Sequence, residues 1–146
     1  MKDRVAILHG ANLDQLGERA PEHYGTLSLA ELEVRIRGFA HELALETIFF
    51  QTNHEGEFVE YLHRLPELAD GALLNAGAWT HYSYAIRDAL EACGVPAVEV
   101  HLSDVMAREE WRRHSVFEGL VAGVVSGKGP DGYREALDIL KAELSA

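Results

Sequence analysis

The chain has 146 residues, 47% of them hydrophobic and 25% charged, which predicts one globular domain spanning residues 1–146. Its 13 basic and 24 acidic residues leave a formal net charge of 13 − 24 = −11, which argues against nucleic acid or an anionic membrane as a partner. The single cysteine, Cys93, excludes an intrachain disulfide. No apolar run approaches the roughly 20 residues of a membrane helix, and the N-terminal run is too short for a signal peptide, so a soluble, cytoplasmic protein is expected.

Five short apolar runs alternate with longer amphipathic ones. Residues 5–8 predict the first strand, and a turn-rich stretch follows from Gly10 to Gly25. Ser28 and Glu31 have the spacing of a capping box. Leu29, Leu32, Ile36, Phe39 and Leu43 then recur at helical spacing, forming one apolar face. Residues 47–50 predict the second strand. Residues 55–65 predict a helix with Phe58, Tyr61, Leu62 and Leu65 on one side, and residues 72–74 the third strand. Residues 79–93 predict a helix stopped by Gly94 and Pro96. The fourth strand is expected at 97–100, a short helical stretch at 105–114 and the fifth strand at 121–125. A last helix is marked by Tyr133, Ala136, Leu137, Leu140 and Leu144.

This alternation predicts an α/β protein, a flavodoxin-like three-layer sandwich with a five-stranded parallel sheet. Ligands of such sheets lie beyond the carboxyl ends of the strands, near the point where strand order reverses. The residues just past each predicted strand are therefore the candidates. All five tips carry polar groups, among them His9 and Asn12, Asn53, Asn75, His101 and Ser103, and Lys128.

Several motifs fail on inspection. Gly127, Gly129 and Gly132 form a GxGxxG, but the dinucleotide fingerprint needs a further strand and an acidic residue about 20 positions on, and the sequence reaches Ala146 first. Lys128 is not followed by Ser or Thr, which excludes a phosphate-binding P-loop. His41-Glu42 and His54-Glu55 lack the second histidine of a zinc helix, since Leu45 and Phe58 stand there. Cys93 falls on an apolar helix face and reads as an inert core thiol. Neither a metal nor a cofactor is expected.

Three further segments are distinctive together. They are Leu16-Gly17-Glu18-Arg19-Ala20-Pro21-Glu22-His23-Tyr24-Gly25, Asn75-Ala76-Gly77-Ala78-Trp79-Thr80-His81-Tyr82-Ser83 and Glu99-Val100-His101-Leu102-Ser103. In order and content they resemble the lid loop, the third strand tip and the fourth strand of the type II 3-dehydroquinate dehydratases. Asn53-His54-Glu55-Gly56-Glu57 and Arg87-Asp88-Ala89-Leu90 match as well, so the resemblance runs almost from end to end. It implies dehydration of 3-dehydroquinate to 3-dehydroshikimate through an enolate, a step of the shikimate pathway. It also implies no metal and no Schiff base, a flavodoxin-like fold, and a homododecamer built from trimers.

The elimination needs a base, an acid and a partner for the enolate. Tyr24 is the candidate base. Arg19, on the same loop, supplies a cation that stabilises a phenolate. His101 is the candidate acid. Glu99, two residues earlier on the same strand, shares its face and is placed to orient the ring. The resemblance implies that Asn12 meets the enolate oxygen, directly or through a water. It further implies that Asn75, His81, Ser103 and Arg112 hold the substrate's hydroxyls and carboxylate, helped by the backbone amides of Leu102 and Ser103, while Asp88 contacts a second subunit. Two other readings share the fold: a phosphoacceptor receiver module, which would need an Asp where Asn75 stands, and a divergent relative that acts on or binds another polyhydroxylated ring acid.

Some positions depart from the family. After the first strand it usually reads Asn-Gly-Pro-Asn-Leu-Asn; here the order is His9-Gly10-Ala11-Asn12-Leu13-Asp14, and Gln15 replaces an apolar residue. Ala76 stands for Pro, Trp79 for Tyr, Tyr82 for a small hydroxyl residue and Asp104 for Asn. These changes predict looser tips at the lost prolines and an altered substrate fit near Tyr82 and Asp104.

Overall fold

Strand β1 (Arg4–His9) sends Val5 and Ile7 into one core and Ala6 and Leu8 into another, as a strand covered on both faces must. The computed structural model describes residues 3–146. β2 (Glu46–Gln51), β3 (Gly71–Asn75), β4 (Ala97–His101) and β5 (Val124–Ser126) complete a parallel sheet of order β2-β1-β3-β4-β5. That is the flavodoxin-like order, with its switch point between β1 and β3.

Helix α1 (Pro21–Tyr24) is a single turn within the loop after β1. α2 (Leu29–Glu42) starts at the expected box, where Ser28 Oγ accepts from the Glu31 amide and the Glu31 carboxylate accepts from the Ser28 amide. Leu32 and Ile36 of α2 pack with Tyr133, Leu137 and Leu140 of α5 (Asp131–Leu144) on one sheet face. α3 (Glu55–Leu68) and α4 (Tyr84–Cys93) cover the other through Phe58, Leu62, Leu65, Ile86 and Leu90. Among the described residues no helix is long and apolar enough to cross a membrane.

Three sequence expectations need correction. The helix expected over 79–93 is a 3₁₀ turn, Gly77–His81, followed by α4. Ser83 divides them, because its Oγ accepts from the Ile86 amide at 3.2 Å and restarts the helix. The stretch 105–114 forms two 3₁₀ turns, Val105–Ala107 and Glu110–Arg113, because Arg108 between them is extended. β5 begins three residues late, at Val124. Val121 instead packs against the α3–α4 core, and the Ala122 amide bonds the Ala97 carbonyl at 2.8 Å. Cys93 is half-buried, its thiol is pushed up by burial, and it bonds the Leu90 carbonyl, in keeping with an inert role.

His9 is wholly buried at the end of β1, with Nε2 2.8 Å from the Tyr133 hydroxyl and Nδ1 unpartnered. Burial lowers its pKa from 6.5 to about 4. Above pH 6.5 folded and unfolded chains both hold the ring neutral; between 6.5 and about 4 only the unfolded chain takes up the proton, so stability falls as pH falls. His9→Asn removes this component. Wild type is expected to lose about 2 kcal/mol more than the variant between pH 7 and pH 5, measured by denaturant unfolding at both values. Equal losses in the two proteins would contradict the assignment.

Candidate active site

The tips of β1, β3 and β4, together with the loop that carries Arg19 and Tyr24, surround a small cleft. Main-chain crossings build its floor. The Gly10 amide bonds the Asn75 carbonyl at 2.8 Å, and a Cβ on Gly10 would lie 2.3 Å from the Ala76 oxygen, so only glycine fits there. A Cβ on Gly77 would lie 2.6 Å from the Ala11 oxygen, and its φ is +63°. The first and third tips are thus locked to each other without the two prolines. Asn12 sits at φ 72°, its amide bonded to Asn53 Oδ1 at 2.8 Å. The second tip therefore supports the first from outside the cleft. The fifth supports the fourth, with the Gly127 and Gly129 amides bonded to the Ser103 and Leu102 carbonyls.

Of the sequence candidates, Asn12, Arg19, Tyr24, Asn75, His81, His101, Leu102, Ser103 and Arg112 all line this cleft. Glu99 stands directly behind His101. Asp88 does not join them; it is exposed on α4. Tyr82 is also exposed, and Asp104 caps the Met106 amide at 3.1 Å. Neither lines the cleft.

The short α1, started by Pro21, turns the Tyr24 ring back over the cleft. Arg19 Nη2 donates to the Tyr24 oxygen at 2.8 Å, and its Cζ lies 3.9 Å from the ring centroid. A second guanidinium, missed in the sequence, is closer still. Arg108 Nη1 donates to the same oxygen at 2.6 Å and to Ser103 Oγ at 3.3 Å. Its side chain is only 9% exposed, held by the extended break between the two 3₁₀ turns. Two cationic donors converging on one phenol oxygen stabilise negative charge there.

Across the cleft His101 Nε2 lies 2.6 Å from Glu99 Oε2, both groups buried at the end of β4. The ring lines the cleft, and among the described residues Nδ1 is the nitrogen without a protein partner. His81 faces it, with ring centroids 6.3 Å apart. His81 Nδ1 lies 2.7 Å from the His114 carbonyl, which can only accept, so Nδ1 carries hydrogen. Burial lowers the His81 pKa, and repulsion from His101 and Arg112 adds to this against the His114 carbonyl and Glu99. A neutral His81 then offers Nε2 as an acceptor for a ligand hydroxyl. Arg112 is steered by Glu109 at 3.1 Å and by Trp111 beneath its guanidinium. Arg19, Arg108 and Arg112 thus bring three guanidinium groups to one cleft of an acidic chain. Among the described residues no cluster of three or more His, Cys, Asp or Glu is placed to hold a metal ion.

The sheet and cleft define a flavodoxin-like α/β protein with a polar cleft at its topological switch point. The chain matches the profile of the family described as Dehydroquinase class II over residues 3–141. It is 50% identical over 135 residues to a 3-dehydroquinate dehydratase of Syntrophotalea carbinolica, covering 92% of this chain and 91% of that one. It is 51% identical over 134 residues to one of Carboxydothermus hydrogenoformans, covering 92% and 87%. The type II dehydroquinase structure from Butyrivibrio crossotus superposes with a TM-score of 0.91 at 37% identity, covering 95% of this chain and 97% of that one. The chain belongs to the class II dehydroquinase family.

Proposed function

We propose that this protein dehydrates 3-dehydroquinate to 3-dehydroshikimate, in the cytoplasm and within the shikimate pathway. The observation that carries the reading is the Tyr24 oxygen clamped by Arg19 and Arg108 at 2.8 and 2.6 Å, across one cleft from the His101–Glu99 pair. Tyr24, as phenolate, takes the proton from the carbon beside the ketone. The electrons of that C–H bond move into an enolate whose oxygen meets Asn12, directly or through a water. The enolate collapses and expels the β-hydroxyl, which takes a proton from His101 and leaves as water. Passage of a proton from Tyr24 back to His101 through water resets the site, so no net proton is gained or lost. Asn75, His81, Ser103 and Arg112 hold the substrate's hydroxyls and carboxylate, helped by the backbone amides of Leu102 and Ser103.

Asp88 is exposed on α4 outside its own cleft, the placement needed by a residue that serves a neighbouring copy in a trimer-built dodecamer. The purified protein is expected to convert 3-dehydroquinate into an enone that absorbs in the near ultraviolet. Absence of that absorbance, with turnover or binding of a different polyhydroxylated ring acid, would favour the divergent-ligand reading.

A further inference from the structure

Behind the proton donor lies a contact that the reaction scheme does not use. Ser115 Oγ is 2.7 Å from Glu99 Oε1, the carboxylate oxygen turned away from His101. The polarity of this contact is fixed. Ser115 Oγ already accepts from the Phe117 amide at 3.1 Å, so its one hydrogen is free to go to the carboxylate. The segment that brings Ser115 there is tied down at several points. The Val116 amide bonds the Thr80 carbonyl at 2.8 Å. Arg87 of α4 donates to the Val116 carbonyl, and to the Glu118 carbonyl at 3.1 Å. Phe117 is fully buried in the α3–α4 core. One residue earlier, the His114 carbonyl fixes His81.

The consequence follows from carboxylate geometry. A buried carboxylate needs both oxygens satisfied, or it turns to find partners. Ser115 occupies Oε1, which leaves Oε2 for His101 Nε2. The hydrogen bond at one ring nitrogen sets which nitrogen carries the hydrogen. With Nε2–H held on Glu99, Nδ1 is the nitrogen presented to the cleft. We propose that Ser115 is a positioning residue for the proton donor: by holding the second oxygen of Glu99 it fixes the tautomer and orientation of His101.

This rests on the proposed role of His101, so the test includes a readout that needs no substrate. The ring nitrogens of His101 are followed by long-range ¹H–¹⁵N correlation in ¹⁵N-labelled protein, at a pH where the ring is neutral. Wild type is expected to show one tautomer with hydrogen on Nε2. Ser115→Ala is expected to show a mixture, with kcat for 3-dehydroquinate lowered roughly tenfold, the lower end for loss of an outer partner of a functional histidine, and KM changed less than about twofold. Ser115→Thr keeps the hydroxyl and is expected to restore both, which separates loss of the contact from loss of the fold. A single Nε2–H tautomer in Ser115→Ala would overturn the proposal, whatever happens to kcat. A mixed tautomer in a protein whose wild type does not turn over 3-dehydroquinate would support it and overturn the assigned substrate instead.

Discussion

Tyr24→Phe is expected to lower kcat by roughly 10³-fold, within the 10²–10⁴ range for a positioned base, while the thermal midpoint stays within about 2 °C of wild type, the behaviour of a change outside the core contacts. The substitution removes one oxygen and leaves the ring, which packs against the α2–α5 core. Among the described residues that oxygen is hydrogen-bonded to Arg19 and Arg108, and both guanidinium groups remain beside an open cleft. The loss therefore falls on the chemical step. KM is expected to change much less than kcat, because phenylalanine fills the same wall. Steady-state kinetics with 3-dehydroquinate and a thermal unfolding curve measured together decide the matter. Turnover within tenfold of wild type would remove Tyr24 from the role of base. A large drop accompanied by unfolding would assign the residue to structure.

The elements that were legible in the sequence are those whose signal is local. The capping box at Ser28 and Glu31, the left-handed Gly94 that ends α4 and the apolar cores of the strands stand where the pattern put them. The errors arise where a contact distant in sequence decides. Residues 121–125 look like one apolar strand, but Val121 packs against the α3–α4 core and β5 starts only after Gly123. The strand order, and with it the switch point that gathers the cleft, depends on pairing that no periodicity reports. In the site, Arg19 and Tyr24 share one loop and were found together. Arg108 is separated from Tyr24 by 84 positions, and the contact is tertiary. A signal for it did exist: Arg108 lies four residues before Arg112, so the helix read over 105–114 would have placed both on one face. Ser115 had no such marker, since a serine in a loop most often only bonds its own backbone.

Arg108→Gln tests whether the tertiary cation or the loop cation carries the base. Both guanidinium groups reach the same oxygen at similar distance, so distance alone does not rank them. Anchoring does. Both residues are part-buried, but the Arg108 guanidinium is also tied to Ser103 Oγ, whereas Arg19 rides on the loop after β1. A donor already fixed in place stabilises developing charge with less reorganisation. Arg108→Gln is therefore expected to cost roughly 10²–10³-fold in kcat/KM, the range for loss of a preorganised donor at developing charge, and Arg19→Gln less. Arg108 also holds Ser103 Oγ, so its loss is expected to raise KM as well, while loss of Arg19 acts mainly on kcat. The double variant is expected to depart from the product of the single effects, because both residues act on one atom. An Arg108→Gln enzyme with the wild-type rate would leave Arg19 as the sole partner of the base and reduce Arg108 to a strut for Ser103.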